Sequence, residues 1–181
     1  HNDQCMDQLL QKLRDDRLVV AFVAEFSRGK SELINAIFFA DHGTRVLPSS
    51  TGRTTMCPTE LMYDPARPAC IDLLPIDTRR GNTPVAEYKA QPGAWTRVLL
   101  DTASPQAMQQ ALTRVSEQRR ATIADAEAMG FRIDLSGETG LQPDAQGGVQ
   151  VPAWRHAVIN LPHPLLRQGL VILDTPGLNA I

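Results

Sequence analysis

Apolar residues along the chain follow two patterns, one typical of amphipathic helices and one typical of buried strands. Side chains at helical spacing from Met6 to Leu13 predict a short helix over residues 3–15. The apolar, β-branched run RLVVAFVAE at 17–25 predicts a buried central strand. Leu33 and the apolar positions after it return to helical spacing. The order is therefore strand, glycine-containing loop and helix.

Further strands are predicted where short apolar runs lie between turn-forming residues: TELMYD, ACIDLLPI, AWTRVLLD, FRIDLS, HAVINLP and GLVILDT. An apolar stripe predicts one long helix over 104–129, with Ser104 as its N-cap and Gly130 after its end. Residues 40–58 have few apolar anchors and predict a mobile loop. Residues 137–153 are turn-rich and are expected to lack regular structure.

Composition places the chain among soluble globular domains and argues against nucleic-acid binding. The 181 residues are 43% hydrophobic and 21% charged, with a net charge of −2. This charge gives no overall basic surface for a nucleic acid. Three cysteines without CxxC spacing favour a reducing, cytoplasmic location over a disulfide framework. Apolar runs long enough to span a bilayer are missing from the sequence.

The most informative motif lies between the first predicted strand and its helix. Residues 24–31, AEFSRGKS, fit the phosphate-loop pattern [AG]-x-x-x-x-G-K-[ST]. Backbone N–H groups of such a loop surround phosphates, and the helix that follows directs its positive dipole end at them. Gly29 permits close approach of the main chain, Lys30 supplies a charge for the β- and γ-phosphates, and the Ser31 hydroxyl is a ligand for Mg²⁺. Alanine at position 24 is tolerated if φ stays negative.

A second motif follows the last predicted strand. The run GLVILDTPG places Asp174 at the end of an apolar strand and Gly177 three residues later. In phosphate-loop enzymes, an acidic residue at such a strand end holds Mg²⁺. By itself D-x-x-G is a weak signal, because Asp followed by Pro-Gly is a common turn. Together with the phosphate loop it becomes a strong one.

A loop threonine is the third element of the pattern. Thr54 and Thr55 both lie in the loop after the first helix, where a hydroxyl completes the Mg²⁺ shell when a γ-phosphate is bound. Taken singly, either threonine fits equally well as the start of the strand at residue 59. Position alone leaves both threonines open.

This order of motifs resembles the nucleotide-binding domain of the dynamin family, in its bacterial dynamin-like branch. The resemblance rests on EFSRGKSELINAIF, LPSSTGRTTMCPTEL and PLLRQGLVILDTPGL, and is specific over residues 18–64 and 161–179. It implies Mg²⁺-dependent hydrolysis of GTP. The base-recognising N/T-K-x-D motif does not occur in the sequence at a suitable place, so GTP rather than ATP follows from the resemblance.

The resemblance also assigns roles to residues. Ser27, Lys30 and Thr55 would be catalytic, with Thr54 as the alternative to Thr55. Ser31, Thr55 and Asp174 would hold Mg²⁺. The nucleotide-binding set would be Glu25, Phe26, Ser27, Arg28, Gly29, Lys30, Ser31, Glu32, Asp174 and Gly177.

Two positions depart from related GTPases. Phe26 stands where many eukaryotic members have glutamine, and Leu178 follows the D-x-x-G, where small Ras-like GTPases have a water-orienting glutamine. Catalysis would then depend on loop groups, backbone and a partner molecule. Slow basal hydrolysis, stimulated by self-association, is the expectation.

The predicted fold is an α/β phosphate-loop domain of three layers around a mostly parallel sheet, incomplete at its C-terminus. Residues 1–181 would form part of one GTPase domain, and 65–160 a family-variable insertion with a helical segment. Trp95, Trp154 and the pair Arg119-Arg120 in this segment are candidates for a partner surface. Half-buried packing of the tryptophans and solvent exposure of the arginines are the simpler interpretations.

The resemblance implies a homodimer or homo-oligomer formed through the nucleotide face. It also implies peripheral contact with the inner membrane through regions outside this sequence. Two alternatives stay open: a phosphate-loop ATPase, and a catalytically inert assembly or adaptor module.

Overall fold

The fold is built around one large β-sheet, and a small two-stranded sheet lies beside it. The computed structural model describes residues 19–22, 35, 57–135 and 140–174. In these residues the large sheet has six strands in the order β1-β8-β2-β7-β3-β4, and β5 pairs with β6. The strands are β1 Val19–Phe22, β2 Thr59–Met62, β3 Cys70–Pro75, β4 Thr96–Leu99, β5 Gln118–Thr122, β6 Gly148–Pro152, β7 Trp154–Asn160 and β8 Val171–Asp174.

The large sheet is mixed, which corrects the prediction of a mostly parallel sheet. Of the five neighbouring pairs in the described strands, β1–β8 and β2–β7 are parallel. The pairs β2–β8, β3–β7 and β3–β4 are antiparallel. The turn between β2 and β3 is too short for the crossover that strands of the same direction require, so β2 and β3 run in opposite directions on the two sides of β7.

Helices in the described residues are short: α1 Val85–Tyr88, α2 Pro105–Thr113, α3 Ile123–Ala128 and α4 Pro164–Arg167. A helix long and apolar enough to cross a membrane does not occur in the described part of the chain. Ser104 caps α2 as predicted, since its hydroxyl accepts a hydrogen bond from the Ala107 N–H at 3.2 Å. Gly130 follows α3 with a φ of 80°, as a residue that ends a helix often does.

The predicted single helix over 104–129 is wrong. Between α2 and α3 the chain forms a 3₁₀ turn, Arg114–Ser116, and then strand β5. The partner of this strand is β6, which lies in the 137–153 segment that was expected to lack regular structure. A strand pairing across about 30 residues overrides the local helical pattern, because helix propensity is a weak preference.

The segment 65–160 is divided between the two sheets. It contributes β3, β4 and β7 to the large sheet, and β5 and β6 to the small one. The run FRIDLS forms a single bridge, from Ile133 to Leu141, and not a strand. Whether 65–160 varies as a family insertion stays a prediction.

One face of the large sheet carries the main hydrophobic core. Four register partners on neighbouring strands are almost fully buried there: Leu61, Ile71, Ile159 and Ile172. Met108 and Leu112 of α2 and Leu166 of α4 belong to the same core cluster. The small sheet has a separate core in which Val149 and Val151 pack with Met129 and Ile76.

Asn160, at the end of β7, holds the turn between β2 and β3. Its side chain is fully buried, and its Oδ1 accepts a hydrogen bond from the Asp64 N–H at 2.7 Å. Its Nδ2 donates to the carbonyls of Asp64, Arg67 and Pro68 at 2.9–3.2 Å. One side-chain amide thus bonds to four backbone groups of this turn, with its two N–H groups shared among the three carbonyls.

Replacing Asn160 by Ala should lower the free energy of unfolding by about 1–3 kcal/mol, since buried backbone groups lose their partner. Urea denaturation measures this change. Asn82→Ala is the matched control, because Asn82 is exposed. Equal stability of the two variants would contradict the role given to Asn160.

Candidate functional site

Most of the predicted nucleotide-binding residues lie outside the described residues. These are the loop Glu25–Glu32, the two threonines Thr54 and Thr55, and Gly177. Asp174 is described as the last residue of β8. The structure therefore bears on the site through the strands that lead into these segments.

Strands β1 and β8 are parallel neighbours and end at the same edge of the sheet. Their register pairs Phe22 with Asp174. The phosphate-loop sequence begins two residues after Phe22. The backbone of the strand that leads into this loop thus ends beside the backbone of Asp174, although 152 positions separate Phe22 from Asp174 in sequence (174 − 22).

Strand β2 brings the third motif to the same edge. It runs antiparallel to β8, and its first residue, Thr59, is paired with Asp174. Thr55 lies four residues before Thr59, within about 14 Å for a fully extended chain. The strand ends that adjoin three sequence-distant segments therefore lie side by side at one end of the β1-β8-β2 ribbon. Ligands of open α/β sheets bind at the carboxyl ends of parallel strands.

The residues that the sequence predicts as metal ligands suit Mg²⁺ by their chemistry. A hard divalent cation prefers oxygen ligands, and the residues predicted for it offer a carboxylate and two hydroxyls: Asp174, Ser31 and Thr55. A metal bound in such a site keeps waters and phosphate oxygens as its other ligands. In the described residues, three or more His, Cys, Asp or Glu side chains do not group as a metal site.

Comparison with known proteins agrees with the motif order. The family model described as "Dynamin family" matches residues 20–181. The chain belongs to the dynamin family. Its domain accordingly has the phosphate-loop α/β fold, here with a mixed sheet. A search of curated proteins gave no match.

Two solved structures resemble this dynamin-family chain. Both belong to work described as "An oligomerised bacterial dynamin pair provides a mechanism for the long range sensing and tethering of membranes". One is 20% identical to this chain, with a TM-score of 0.39, and the match covers 96% of this chain and 18% of the other chain. The other is 18% identical with a TM-score of 0.39, covering 98% and 19%. The chain thus spans about a fifth of the length of these structures.

An ion-pair cluster around a buried carboxylate lies on β2, one residue after the register partner of Asp174. Glu60, next to Thr59 on β2, has a side chain only 8% exposed. Lys89, just after α1, donates to Glu60 Oε2 at 2.6 Å, and His156 Nε2 of β7 lies 3.5 Å from the same oxygen. The Trp95 ring meets His156 edge-on at 6.2 Å. These contacts hold the α1 segment against the sheet.

The surroundings of Glu60 favour its ionised form. Burial by itself raises the pKa of the carboxyl, but the hydrogen bonds from His156 and Lys89 and their charges outweigh it. Together they lower the pKa to about 2, from 4.5. Sequence patterns showed little sign of this cluster beyond the position of Glu60 among the apolar residues of the predicted strand TELMYD.

Asp72 is a second buried carboxylate that sequence patterns did not single out. It lies in β3 and accepts hydrogen bonds from Arg97 Nε at 2.8 Å and Arg97 Nη2 at 3.1 Å. Arg67 forms an ion pair with Asp72 Oδ2, the oxygen that also accepts from Arg97 Nη2. Cys70, two residues earlier, is fully buried, and burial raises the pKa of its thiol. A charge inside the apolar run ACIDLLPI was the only signal, and its partners come from other segments.

The residues of the 65–160 segment that were candidates for a protein-partner surface contact other residues of this chain. Arg119 pairs with Asp77 at 2.7 Å, and Arg120 pairs with Asp144 at 2.7 Å. Trp95 and Trp154 are half-buried and donate through Nε1 to the carbonyls of Tyr88 and Arg114. The packing interpretation of the tryptophans is confirmed. The two arginines are not simply solvated, as the simpler interpretation had it, because each forms an ion pair at the surface.

Stability of the domain should fall in acid because of Glu60. A carboxyl whose pKa is lower in the folded state contributes stability above its ordinary pKa, and this contribution is lost as the pH falls from about 4.5 to about 2. Glu60→Gln should be less stable at pH 7 and should show a flatter pH dependence in that window. Thermal unfolding at a series of pH values measures both effects.

Glu87→Gln is the matched control, because Glu87 is an exposed residue of α1. It should keep the wild-type pH profile. A Glu60→Gln profile parallel to the wild type would contradict the assignment.

Proposed function

We propose that the domain binds GTP and hydrolyses it with Mg²⁺, as part of a dynamin-like large GTPase. The observation that carries the proposal is the strand register at the end of the β1-β8-β2 ribbon where Asp174 lies. Phe22 and Thr59 are both paired with Asp174, so the strand ends next to the phosphate-loop, threonine and D-x-x-G segments are neighbours, which supports their convergence. Convergence of these three motifs is what γ-phosphate hydrolysis requires.

Each motif contributes a separate function to the proposed site. Backbone N–H groups of residues 25–32 surround the phosphates, with Gly29 allowing close approach. Lys30 places its ammonium between the β- and γ-phosphate oxygens, where negative charge increases during bond cleavage. Ser31, Thr55 and Asp174 hold Mg²⁺, with Thr54 as the alternative threonine. Bound Mg²⁺ supplies charge neutralisation at the phosphates.

Water attack is expected to be slow without a partner. Ser27 is the polar loop group proposed to orient the attacking water and shield developing charge. The adjacent Phe26 carries no hydrogen-bonding group, and Leu178 supplies none after the D-x-x-G. Self-association through the nucleotide face would add groups that this chain lacks, which accounts for stimulated hydrolysis.

Guanine specificity is proposed on the ground of family membership, since the base-reading motif is not in the 181 residues. Competition between GTP and ATP for the full-length protein tests it. GTP should displace a fluorescent nucleotide at lower concentration than ATP. Preferential ATP binding would instead make the protein a phosphate-loop ATPase.

Assembly and location complete the proposal. A dynamin-like GTPase of this kind would act in the cytoplasm as a homodimer or homo-oligomer and drive self-assembly or membrane-associated remodelling. Peripheral contact with the inner membrane would involve other parts of the protein.

Replacing Lys30 by Ala in the full-length protein should reduce GTP turnover by on the order of 100-fold or more, because a charge aimed at the transition state is removed. Phosphate release in Mg²⁺ and GTP measures the rate. Lys12→Ala, which removes a lysine outside the motifs, is the control and should retain turnover. An unchanged rate for Lys30→Ala would refute the proposal.

Nucleotide binding should also stabilise the full-length protein against heat. At a hundred times its dissociation constant, a ligand adds about 2.7 kcal/mol to the free energy of unfolding. Melting curves with and without Mg²⁺-GTP measure the shift, and Lys30→Ala should reduce it. A folded protein without any shift at saturating nucleotide would favour the inert assembly module.

A further inference from the structure

Two half-buried arginines lie at the 3₁₀ turn Ile76–Arg80, which follows β3. Arg79 belongs to this turn, and Arg155 lies in β7 beside it. Neither forms an ion pair with a carboxylate in the described part of the chain. The other half-buried arginines that the structure describes each pair with a carboxylate: Arg67, Arg114 and Arg119. Arg79 and Arg155 are therefore exceptions to the way this domain treats its arginines.

Arg79 is held by an aromatic ring and not by hydrogen bonds. Its guanidinium lies over the Phe131 ring, with Cζ 4.6 Å from the ring centroid. Its N–H groups donate to no residue within the described ranges. Stacking uses the flat face of a guanidinium, so the five N–H donors at its edge stay open to a ligand.

Arg155 is fixed against the same turn by backbone acceptors. Its Nη1 donates to the carbonyls of Thr78 and Thr83, at 3.0 and 3.1 Å. Its Cζ lies 5.9 Å from the centroid of the Tyr88 ring. Because Thr78 directly precedes Arg79, these bonds bring the second guanidinium to the turn that carries the first. Burial, and then the charge of Arg155, lower the pKa of Arg79.

Positive charge exceeds negative charge around this turn. Arg80 and Arg119 share Asp77 Oδ1, at 3.5 and 2.7 Å, and Arg80 also pairs with Asp125 at 2.9 Å. Two carboxylates thus compensate two arginines. The charges of Arg79 and Arg155 are left over, and an anion bound between them would compensate both.

We propose that Arg79 and Arg155 form a binding site for a phosphate monoester, separate from the proposed nucleotide site. Guanidinium groups match phosphate oxygens with parallel N–H donors. A phosphate monoester carries close to two negative charges at neutral pH, which equals the uncompensated charge of the pair. Strand β2 lies between β7, which carries Arg155, and β8, which ends at Asp174.

The test is calorimetric titration of the full-length protein with inorganic phosphate. A non-hydrolysable GTP analogue at saturating concentration keeps phosphate out of the proposed nucleotide site. Arg79→Gln should weaken phosphate binding about 10- to 100-fold, because charge-assisted hydrogen bonds are lost. The melting temperature without phosphate should change little, since the Arg79 guanidinium donates no hydrogen bond in the described chain.

Arg114→Gln is the matched control. Arg114 also lies over an aromatic ring, that of Trp154 at 5.9 Å, but Glu117 already pairs with it at 3.2 Å. Its loss should leave phosphate binding unchanged. If Arg79→Gln does not fold in a melting experiment, Arg79→Lys gives the same comparison, because it keeps the charge and loses the planar fork. Phosphate binding to Arg79→Lys should be weakened to a smaller extent.

A phosphate monoester can come from solution or from a lipid headgroup, and a second measurement separates these sources. Vesicles of phosphatidylcholine with and without phosphatidic acid are sedimented with the protein. Sedimentation that requires both phosphatidic acid and Arg79 would assign the site to a lipid. Arg79-dependent titration without such sedimentation would assign it to a soluble phosphate compound.

Each outcome decides the inference. It is overturned if the wild type binds phosphate in neither measurement, or if Arg79→Gln and the wild type bind it equally. Loss of Arg79-dependent binding when the GTP analogue is added would assign the arginines to the nucleotide site and overturn a separate one. Binding that persists with the analogue, falls in Arg79→Gln and is kept in Arg114→Gln would support it.

Discussion

The pairing of β8 with both β1 and β2 is the constraint on which the candidate site depends. Asp174 ends β8, and its backbone is the register partner of Phe22 on one side and Thr59 on the other. A shift of either strand by one residue would reverse which face every side chain points to, so the buried core fixes the register. The hydrophobic face of the sheet thereby determines how the strand ends next to the three polar motifs are aligned.

The opposite face of the sheet is unusually polar for a buried layer. Glu60, Val158 and Asp72 are register partners across β2, β7 and β3, so two carboxylates share one face. Each is satisfied by cations from other segments: Lys89 and His156 for Glu60, and arginines for Asp72. Breaking such a pair would leave a buried charge, and this destabilises the fold by more than the intact pair stabilises it. These clusters therefore specify how the connecting segments lie on the sheet.

Local patterns predicted most strands but not their neighbours. The β2, β3, β4 and β7 runs were all found from apolar residues between turn signals, as was the Ser104 cap of α2. The prediction of a single helix over 104–129 failed because the apolar residues after α2 belong to a strand, β5, and to a second helix, α3. Val115 packs in the main core, whereas Ala121, Ala126 and Met129 pack in the core of the small sheet. The partner strand β6 has few local signals, since its stability comes from pairing with β5.

Motif spacing alone identified the family and predicted the chemistry of the site, because the spacing of Gly29, Lys30, Ser31, Asp174 and Gly177 fits what phosphate and Mg²⁺ require. Only the tertiary structure decided that the sheet is mixed, that Asn160 holds a turn, and that Thr59 lies next to Asp174. Motifs are local and carry their own chemistry, so they can be read along the chain. Strand register and anchoring bonds join residues far apart in the chain, such as Cys57 and Val115, 58 positions apart, or Phe22 and Asp174, 152 positions apart, and packing alone selects them.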